Sequence, residues 1–572
     1  MDYILRYENW LNDNYIDEKT KAELLEIKGN NVEIQDRFFK DLEFGTGGMR
    51  GVLGAGTNRL NIYTIRKATQ GLANYILSQN GHGRAVVIAH DCRRMSADFT
   101  KEAALVLAAN GLKAYVFDSL RPTPVLSFAV RELKAISGIV VTASHNPPEY
   151  NGYKVYWDDG GQCPYPRDEA IINEVNKITD FSMIKTMDEQ KAVSEGLYIV
   201  ADSSIDDKFN EHVLNSCQNP DIIKESDLKI VFTPLHGAGN IATRRALKEA
   251  GFKNVSVVKE QELPDGNFPT VSYPNPEEKK AFALALELAN ENNADILIAT
   301  DPDCDRVGVA VKHKGEYVFL TGNHVGVLLT EYICSQLKKN NRLPKDGVII
   351  STIVSTDMTA AVANEYGLKY MEVLTGFKYI GEKIKEFEIN NNHTFVLGFE
   401  ESYGYLAGTY ARDKDAVGAS LLIAEAAAFY KLSGKTLVDI LEELYNKYGL
   451  FHESVESITL KGVEGIANIG KIMTYLRETP PTELNGSKVI SISDYKSSRK
   501  KTGSLDIPID LPVSDVLYFS MEDKSWVAIR PSGTEPKIKL YYGVVSDSIE
   551  TAQEYIKTLK TELGSIVDKA LA

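Results

Sequence analysis

Paired cysteine is missing from this sequence. Its five cysteines (Cys92, Cys163, Cys217, Cys304 and Cys334) are odd in number, scattered, and never spaced C-x-x-C. Reduced thiols of a cytosolic protein are expected, not a disulfide framework. Positive charge is also scarce: 64 Lys and Arg against 79 Asp and Glu leave a net charge of −15. That argues against broad nucleic-acid binding and against an anionic membrane surface. A phosphorylated ligand would need local basic clusters. Long apolar runs are absent too. The most apolar helical stretch, ASLLIAEAAAFYKL at 419–432, is too short to span a membrane and contains Glu425. It reads as a buried helix. The start, MDYILRYENWLNDNYIDEK, is acidic and has no signal-type apolar core, so a cytoplasmic location is expected.

What is present is ordinary globular material. The chain has 572 residues, 43% hydrophobic and 25% charged. At about 150 residues per domain this length suggests about four domains. Short β-rich runs alternate with helical patterns. RAVVIAHD (84–91), AYVFDS (114–119) and SGIVVTAS (137–144) are separated by helices, which predicts a parallel sheet. LKIVFTPLHGAGN (228–240), NVSVVKE (254–260) and ADILIATDPDCD (294–305) repeat the order. GVIISTIVST (347–356), KYMEVLTGFK (369–378) and HTFVLGFEESYG (393–404) repeat it again. The tail differs: an amphipathic stretch near 465–477, strands at 526–533 and 537–544, then a helix. The fold class expected is α/β, three related α/β domains with mixed or parallel sheets, plus a C-terminal α+β domain. Boundaries are placed at 1–204, 205–321, 322–451 and 452–572.

TASHN, DPDCD and GFEES each follow the last strand of their unit in this reading. Ligands of open α/β sheets bind beyond the carboxyl ends of strands. Three chemically loaded loops therefore occupy corresponding places.

In ATDPDCDR (299–306), Asp301, Asp303 and Asp305 alternate. Carboxylates this close repel unless cations neutralise them, and hard oxygen donors suit Mg²⁺. An EF-hand is excluded, because Arg306 stands at its glycine position and Lys312 at its twelfth. Cys304 falls between two ligands in phase and is expected to point away. In TASHNP, Ser144 and His145 are adjacent, but triad members meet through the fold, not along the chain. The G-x-S-x-G frame is absent. Alone, the segment would be a capped turn; coupled to the aspartates, it reads as a serine that carries a phosphoryl group. Lys154 or His145 would then serve as general acid or base. FGTGGMRG (44–51) offers backbone N–H groups and Arg50 to a phosphate. RPSGTEPKIKLYY (530–542) gathers Arg530, Ser532, Gly533 and Thr534 round a turn. GFEESYGY places Glu400 and Ser402 beside aromatics, and TGFK offers Lys378. The near P-loop at 465–471 ends in Ile472 and is set aside as chance.

Taken in order, TASHNP, DPDCDR, GFEES and RPSGTEPK resemble the α-D-phosphohexomutase superfamily over nearly the whole chain, most closely its phosphoglucomutase and phosphopentomutase-type branch. The resemblance implies that Ser144 is the phosphoserine and that Mg²⁺ is held by Asp301, Asp303, Asp305 and the Ser144 phosphate. Arg306 would contact the phosphoserine, and Arg50, His145 and Lys154 would lie beside the reacting group. Glu400 and Ser402 would bind sugar hydroxyls, with Lys378 a further contact. Arg530, Ser532, Gly533 and Thr534 would hold the phosphate that is not reacting. The implied activity interconverts glucose 1-phosphate and glucose 6-phosphate through glucose 1,6-bisphosphate, in a monomer or homodimer. PPEYNGYK after the serine and D-P-D-C-D-R at the metal loop depart from the commoner patterns and leave the sugar open. A phosphopentomutase, a phosphomannomutase, a phosphatase and a non-catalytic sugar-phosphate binder are the competing readings.

Overall fold

The computed structural model describes residues 3–45, 48–460, 462–532 and 537–572. The chain forms two compact units, residues 1–322 with 377–436, and residues 323–376 with 437–572.

The first unit holds two sheets built on one plan. In the first, strands β1 (Gly48–Val52), β2 (Ala85–His90), β3 (Lys113–Val116), β4 (Ser137–Val141), β5 (Tyr150–Trp157) and β6 (Tyr198–Val200) lie in the order β1-β5-β4-β2-β3-β6. Strands β4, β2, β3 and β6 run parallel, while β5 and β1 are antiparallel. In the second, β7 (Lys229–Thr233), β8 (Asn254–Val257), β9 (Ile296–Thr300), β10 (Val307–His313) and β11 (Glu316–Leu320) lie in the order β11-β10-β9-β7-β8. Again the inner strands are parallel and the last two antiparallel.

The sequence explains the burial. Ser137–Val141 and Ile296–Thr300 are apolar runs without alternation and are buried throughout, as strands covered on both faces must be. The helix Thr123–Glu132 starts at Pro122 and Pro124 and packs closely on β4. A Cβ at Gly138 would come within 2.5 Å of Val130 Cγ2, so this approach needs glycine. The helix Ala416–Lys431 is buried as expected, and Glu425 accepts the backbone N–H groups of Gln218 and Asn219. Among the described residues, no helix is long and apolar enough to cross a membrane.

Two expectations need correction. The loaded loops do not follow the last strand of their sheets: each is the connection of a hairpin. Residues 142–149 join β4 to antiparallel β5, 301–306 join β9 to antiparallel β10, and 401–403 join the strand Thr394–Glu400 to antiparallel Gly404–Ala407. Each loop also holds one non-glycine residue in the left-handed region: Ser144 (φ 51°), Cys304 (φ 54°) and Tyr403 (φ 65°). The start of the chain, to which the sequence reading assigns no elements, forms helices Tyr3–Asn12, Glu18–Glu26 and Asn31–Phe38 around a core of Tyr7, Trp10, Leu24 and Phe38.

In the second unit, Gly347–Thr352 and Lys369–Val373 pair in parallel. A larger antiparallel sheet, from Leu450–Thr459 to Lys537–Ser546, is covered by helices Gly462–Glu478 and Ile549–Leu571. Its core includes Ile472, Phe519, Val527, Leu540 and Leu559. This is the α+β tail, with more strands than the two read from sequence. The near P-loop at 465–471 lies inside the first of these helices.

Candidate active site

Ser144 lies three residues beyond the end of β4 and is 2% exposed. Its backbone N–H donates to Thr142 Oγ1 at 2.8 Å, a local bond that turns the chain out of the strand. Ser144 Oγ donates to Asp301 Oδ2 at 2.6 Å, and His145 Nδ1 lies 3.2 Å from the same Oγ. The serine hairpin and the aspartate hairpin therefore meet at their tips.

The aspartates are fully enclosed. Asp301 and Asp303 are 0% exposed and Asp305 2%, and one oxygen from each lies within 4.8 Å of the others. Asp301 Oδ1 accepts the N–H groups of Asp305 and Arg306, both at 3.0 Å, which fixes the loop around it. Asp303 Oδ2 accepts from Lys154 Nζ at 2.8 Å and from Thr123 Oγ1 at 2.9 Å. Asp305 Oδ2 faces Lys154 Nζ at 3.4 Å and Lys414 Nζ at 3.1 Å. Cys304 turns away, with Sγ 3.8 Å from Thr243 Oγ1, as its phase predicts.

Burial and mutual repulsion push Asp301 well above the usual carboxylate range. Burial acts the same way on Asp303, but Lys154, with hydrogen bonds from Lys154 and Thr123, outweighs it and holds Asp303 far below that range. Burial disfavours both ammonium groups, yet the aspartates outweigh it and raise Lys154 and Lys414. His145 is driven well below 6.5 by burial first and by Arg306 and Arg50 next, so its ring is neutral.

The remaining residues fall into place unevenly. Arg50 donates to Asn146 Oδ1 at 3.1 Å, on the serine loop. Arg306 pairs with Glu277. Glu400 ends its strand, 6% exposed, and its charge acts on Arg306 and Lys414. Ser402 lies in the adjoining turn. Lys378 is in the first turn of the helix Phe377–Asn390, 3.7 Å from Asp168 Oδ2, and burial lowers it. In the second unit, Arg530 pairs in register with Lys539, and the Ser532 N–H donates to the Lys537 carbonyl at 2.7 Å. Gly533 and Thr534 lie outside the described residues. Sequence reasoning missed Thr123, Glu277 and above all Lys414. The signal for Lys414 was Arg412-Asp413-Lys414-Asp415, four charges running into an apolar helix and all of them buried.

Family models of phosphoglucomutase/phosphomannomutase match the chain four times in succession: alpha/beta/alpha domain I at residues 41–181, domain II at 207–315, domain III at 321–448 and the C-terminal domain at 488–554. The chain belongs to the phosphoglucomutase/phosphomannomutase family. The family's four-domain α/β architecture is the one the sequence predicts. A Staphylococcus aureus (strain MRSA252) protein named phosphoglucomutase is 39% identical over 534 residues, 93% of this chain and 94% of that one. The solved structure of a putative phosphomannomutase from Thermus thermophilus shares the fold, with a TM-score of 0.68 at 24% identity, covering 92% of this chain and 99% of that one. An N-acetylphosphoglucosamine mutase from Aspergillus fumigatus, solved with GlcNAc-6P and magnesium, has a TM-score of 0.53 at 12% identity, covering 93% and 97%.

The aspartate cluster can hold a metal. The lysines occupy the Oδ2 atoms of Asp303 and Asp305, while both Oδ1 atoms are buried and have no hydrogen-bond partner among the described residues. Those two oxygens, of which Asp305 Oδ1 also lies 3.9 Å from Arg306 Nε, make with Asp301 and Ser144 an all-oxygen donor set, which suits a hard divalent cation.

Proposed function

We propose that this protein interconverts glucose 1-phosphate and glucose 6-phosphate through phospho-Ser144 and a glucose 1,6-bisphosphate intermediate. The contact of Ser144 Oγ with Asp301 Oδ2 at 2.6 Å carries the reading, because it joins the phosphoryl-accepting oxygen to the aspartate triad. The 39% identity to a protein named phosphoglucomutase favours glucose over other sugars.

In the forward direction the bond from phosphorus to Ser144 Oγ breaks as a bond from phosphorus to the sugar's 6-hydroxyl oxygen forms; that hydroxyl gives up its proton and the departing Ser144 Oγ takes one. The bisphosphate turns round, the bond from phosphorus to the sugar's O1 breaks as a bond to Ser144 Oγ forms, Oγ gives up its proton and the departing O1 takes one. Asp301 Oδ2, which already accepts the Ser144 proton, holds that oxygen in line. Neutral His145, 3.2 Å from Oγ, is suited to take a proton, and Lys154, held as an ammonium, to give one or offset anionic charge. Mg²⁺ held by Asp301, Asp303, Asp305 and the Ser144 phosphate would act as a Lewis acid on the phosphoryl group. Arg50 and Arg306 would steady that group. Glu400 and Ser402 would accept from and donate to sugar hydroxyls. Lys378, Arg530, Ser532, Gly533 and Thr534 would hold the sugar and its idle phosphate. A cytoplasmic monomer or homodimer of four domains, divided near 205, 322 and 452, completes the proposal.

The test is a side-by-side turnover assay on glucose 1-phosphate, mannose 1-phosphate and ribose 1-phosphate, with Mg²⁺ and a trace of glucose 1,6-bisphosphate. The expected result is fastest glucose 6-phosphate formation without release of inorganic phosphate. Faster mannose 6-phosphate or ribose 5-phosphate formation would rename the substrate, and phosphate release alone would make the protein a phosphatase. Ser144→Ala should lose at least about 10⁴-fold in turnover, since removing the covalent carrier removes the path itself. Near-normal turnover of that variant would overturn the covalent scheme.

A further inference from the structure

We infer that Arg93 is a positioning residue for the phosphoryl-carrying serine, holding the backbone that aims Ser144 Oγ at the aspartates. The inference rests on the phosphoserine reading above. Arg93 lies in HDCRRMS, just after β2, in a segment that the sequence motifs did not claim. Its side chain is 0% exposed. One guanidinium donates to four main-chain carbonyls of the serine hairpin: Ser144 at 2.5 Å, Asn146, Pro147 at 2.8 Å and Tyr150 at 3.0 Å. Those carbonyls span the whole connection from β4 to β5. Only a planar fork with five N–H donors can gather so many acceptors from one centre; an ammonium has three donors and no fork.

The fork is itself anchored. Asp91 Oδ1 accepts the Arg93 backbone N–H at 2.9 Å and the Ser96 hydroxyl at 3.0 Å, and Asp91 Oδ2 forms an ion pair with Arg93 Nε at 3.4 Å. Asp91 Oδ2 also accepts the Thr142 hydroxyl at 2.6 Å, and Thr142 Oγ1 accepts the Ser144 N–H. Asp91 and Arg93 thus grip Ser144 from both sides of its peptide unit, by the N–H through Thr142 and by the carbonyl directly. On the far face, the ring of Phe268 lies 5.0 Å from the guanidinium carbon. Phe268 belongs to the loop that also carries Glu277, the partner of Arg306. A Cβ at Gly266 of that loop would come within 2.6 Å of Arg94 N and 2.7 Å of the Cys92 carbonyl oxygen, so the two segments touch backbone to backbone.

The need for this grip follows from Ser144 itself. Its φ of 51° is one an L-residue with a side chain seldom adopts, and it is kept only where the surroundings over-determine it. Released from Arg93, the hairpin would relax toward commoner backbone angles and swing Oγ off Asp301. The phosphoryl group must leave and return through that one oxygen, so the error would enter both transfers.

The experiment uses full-length Arg93→Lys beside wild type and Ser144→Ala. Folding is checked by circular dichroism and thermal unfolding. Turnover on glucose 1-phosphate is read together with the rate at which Ser144 takes up a labelled phosphoryl group from glucose 1,6-bisphosphate. Displacing the acceptor oxygen by about 1 Å should lower both kcat and phosphoryl uptake by about 10²-fold. KM should stay within about 3-fold of wild type, because the loss falls on the transition state. A folded Arg93→Lys that is merely less heat-stable, with wild-type kcat and uptake, would overturn the inference, as would a raised KM at unchanged kcat. If Arg93→Lys fails to fold, Phe268→Leu tests the same grip by removing the ring behind the guanidinium. It should lower kcat by about 5-fold at constant KM, and a wild-type kcat would overturn the inference. Wild-type protein that takes up no phosphoryl group would instead sink the phosphoserine reading, a result separate from either variant's.

Discussion

Asp303 is fully buried and Glu453 partly buried, one in each unit, and burial has opposite outcomes for them. Asp303 meets Lys154 at 2.8 Å and stays ionised. Glu453 accepts from Asn323 Nδ2 at 3.0 Å, and no cation among the described residues offsets it; burial, with repulsion from Asp357, pushes it up to about 7. Burial alone makes an acid hold its proton; a placed cation, with hydrogen bonds to the carboxylate, makes it let go. Within the triad Asp303 is of this second kind, while burial and its acidic neighbours raise Asp301. The lysines around the triad offset its charge through the Oδ2 atoms and leave one oxygen of Asp303 and one of Asp305 without a hydrogen bond among the described residues.

The strongest way to break this comparison is to remove the charge it depends on. Asp303→Asn should lower turnover by about 10²–10³-fold, comparable to losing a main electrostatic stabiliser, and should weaken activation by added Mg²⁺. A steady-state titration of rate against Mg²⁺ checks both. Chelation by EDTA should abolish turnover in wild type, with recovery on adding Mg²⁺; activity that survives exhaustive chelation would show the triad is not a metal centre. A smaller effect is expected from the cation side. Lys414→Met keeps the stem's volume, removes the ammonium 3.1 Å from Asp305, and should cost about 10-fold in kcat. Lys154 would still neutralise the pair, and an unchanged kcat would confine Lys414 to packing.

The smallest effect sharpens the other half of the comparison. Glu453 has a folded-state value of about 7 against an ordinary value of 4.5. Between those values the folded state binds a proton that the unfolded chain has released. Its contribution to stability is thus fully present below about pH 4.5 and lost as pH rises through about 7. Glu453→Gln carries no charge at any pH. It should melt about 2–4 °C above wild type at about pH 8 and show no gain at about pH 4.5. Melting curves at the two pH values decide it; an equal shift at both would mean that Glu453 is not protonated in the folded protein.

The parts of the site legible in the sequence are those whose chemistry is local. Asp301, Asp303 and Asp305 announce themselves by alternation within five residues, and Ser144 by following an apolar strand. Lys414 left only the charged run 412–415 as a mark, because its partner Asp305 lies more than a hundred residues earlier, and such a run reads as a solvated face. Arg93 was hidden for the same reason: its acceptors are carbonyls, and a carbonyl leaves no mark in the residue types. Strand existence could be read from apolar runs, but direction could not. VGVAVKH and YNGYKVYW carry the same kind of residues as the parallel strands beside them, so their antiparallel pairing emerged only from the structure. The N-terminal helices went unread because Tyr7, Trp10, Leu24 and Phe38 come from three short segments, none long enough to show a helical period clearly.

The hairpin closure of the serine, aspartate and glutamate loops has a mechanical consequence. An ordinary strand-to-helix loop is moored to a sheet at one end and to a sliding helix at the other. Here both moorings are neighbouring strands of one sheet, cross-linked by a ladder of backbone hydrogen bonds that begins within a few residues of the tip. Such a loop is short and clamped at both ends, and Arg93 braces the serine loop between its clamps. In a reaction where the sugar must let go, turn over and present its other end, the enzyme's own groups can stand still while the substrate does all the moving.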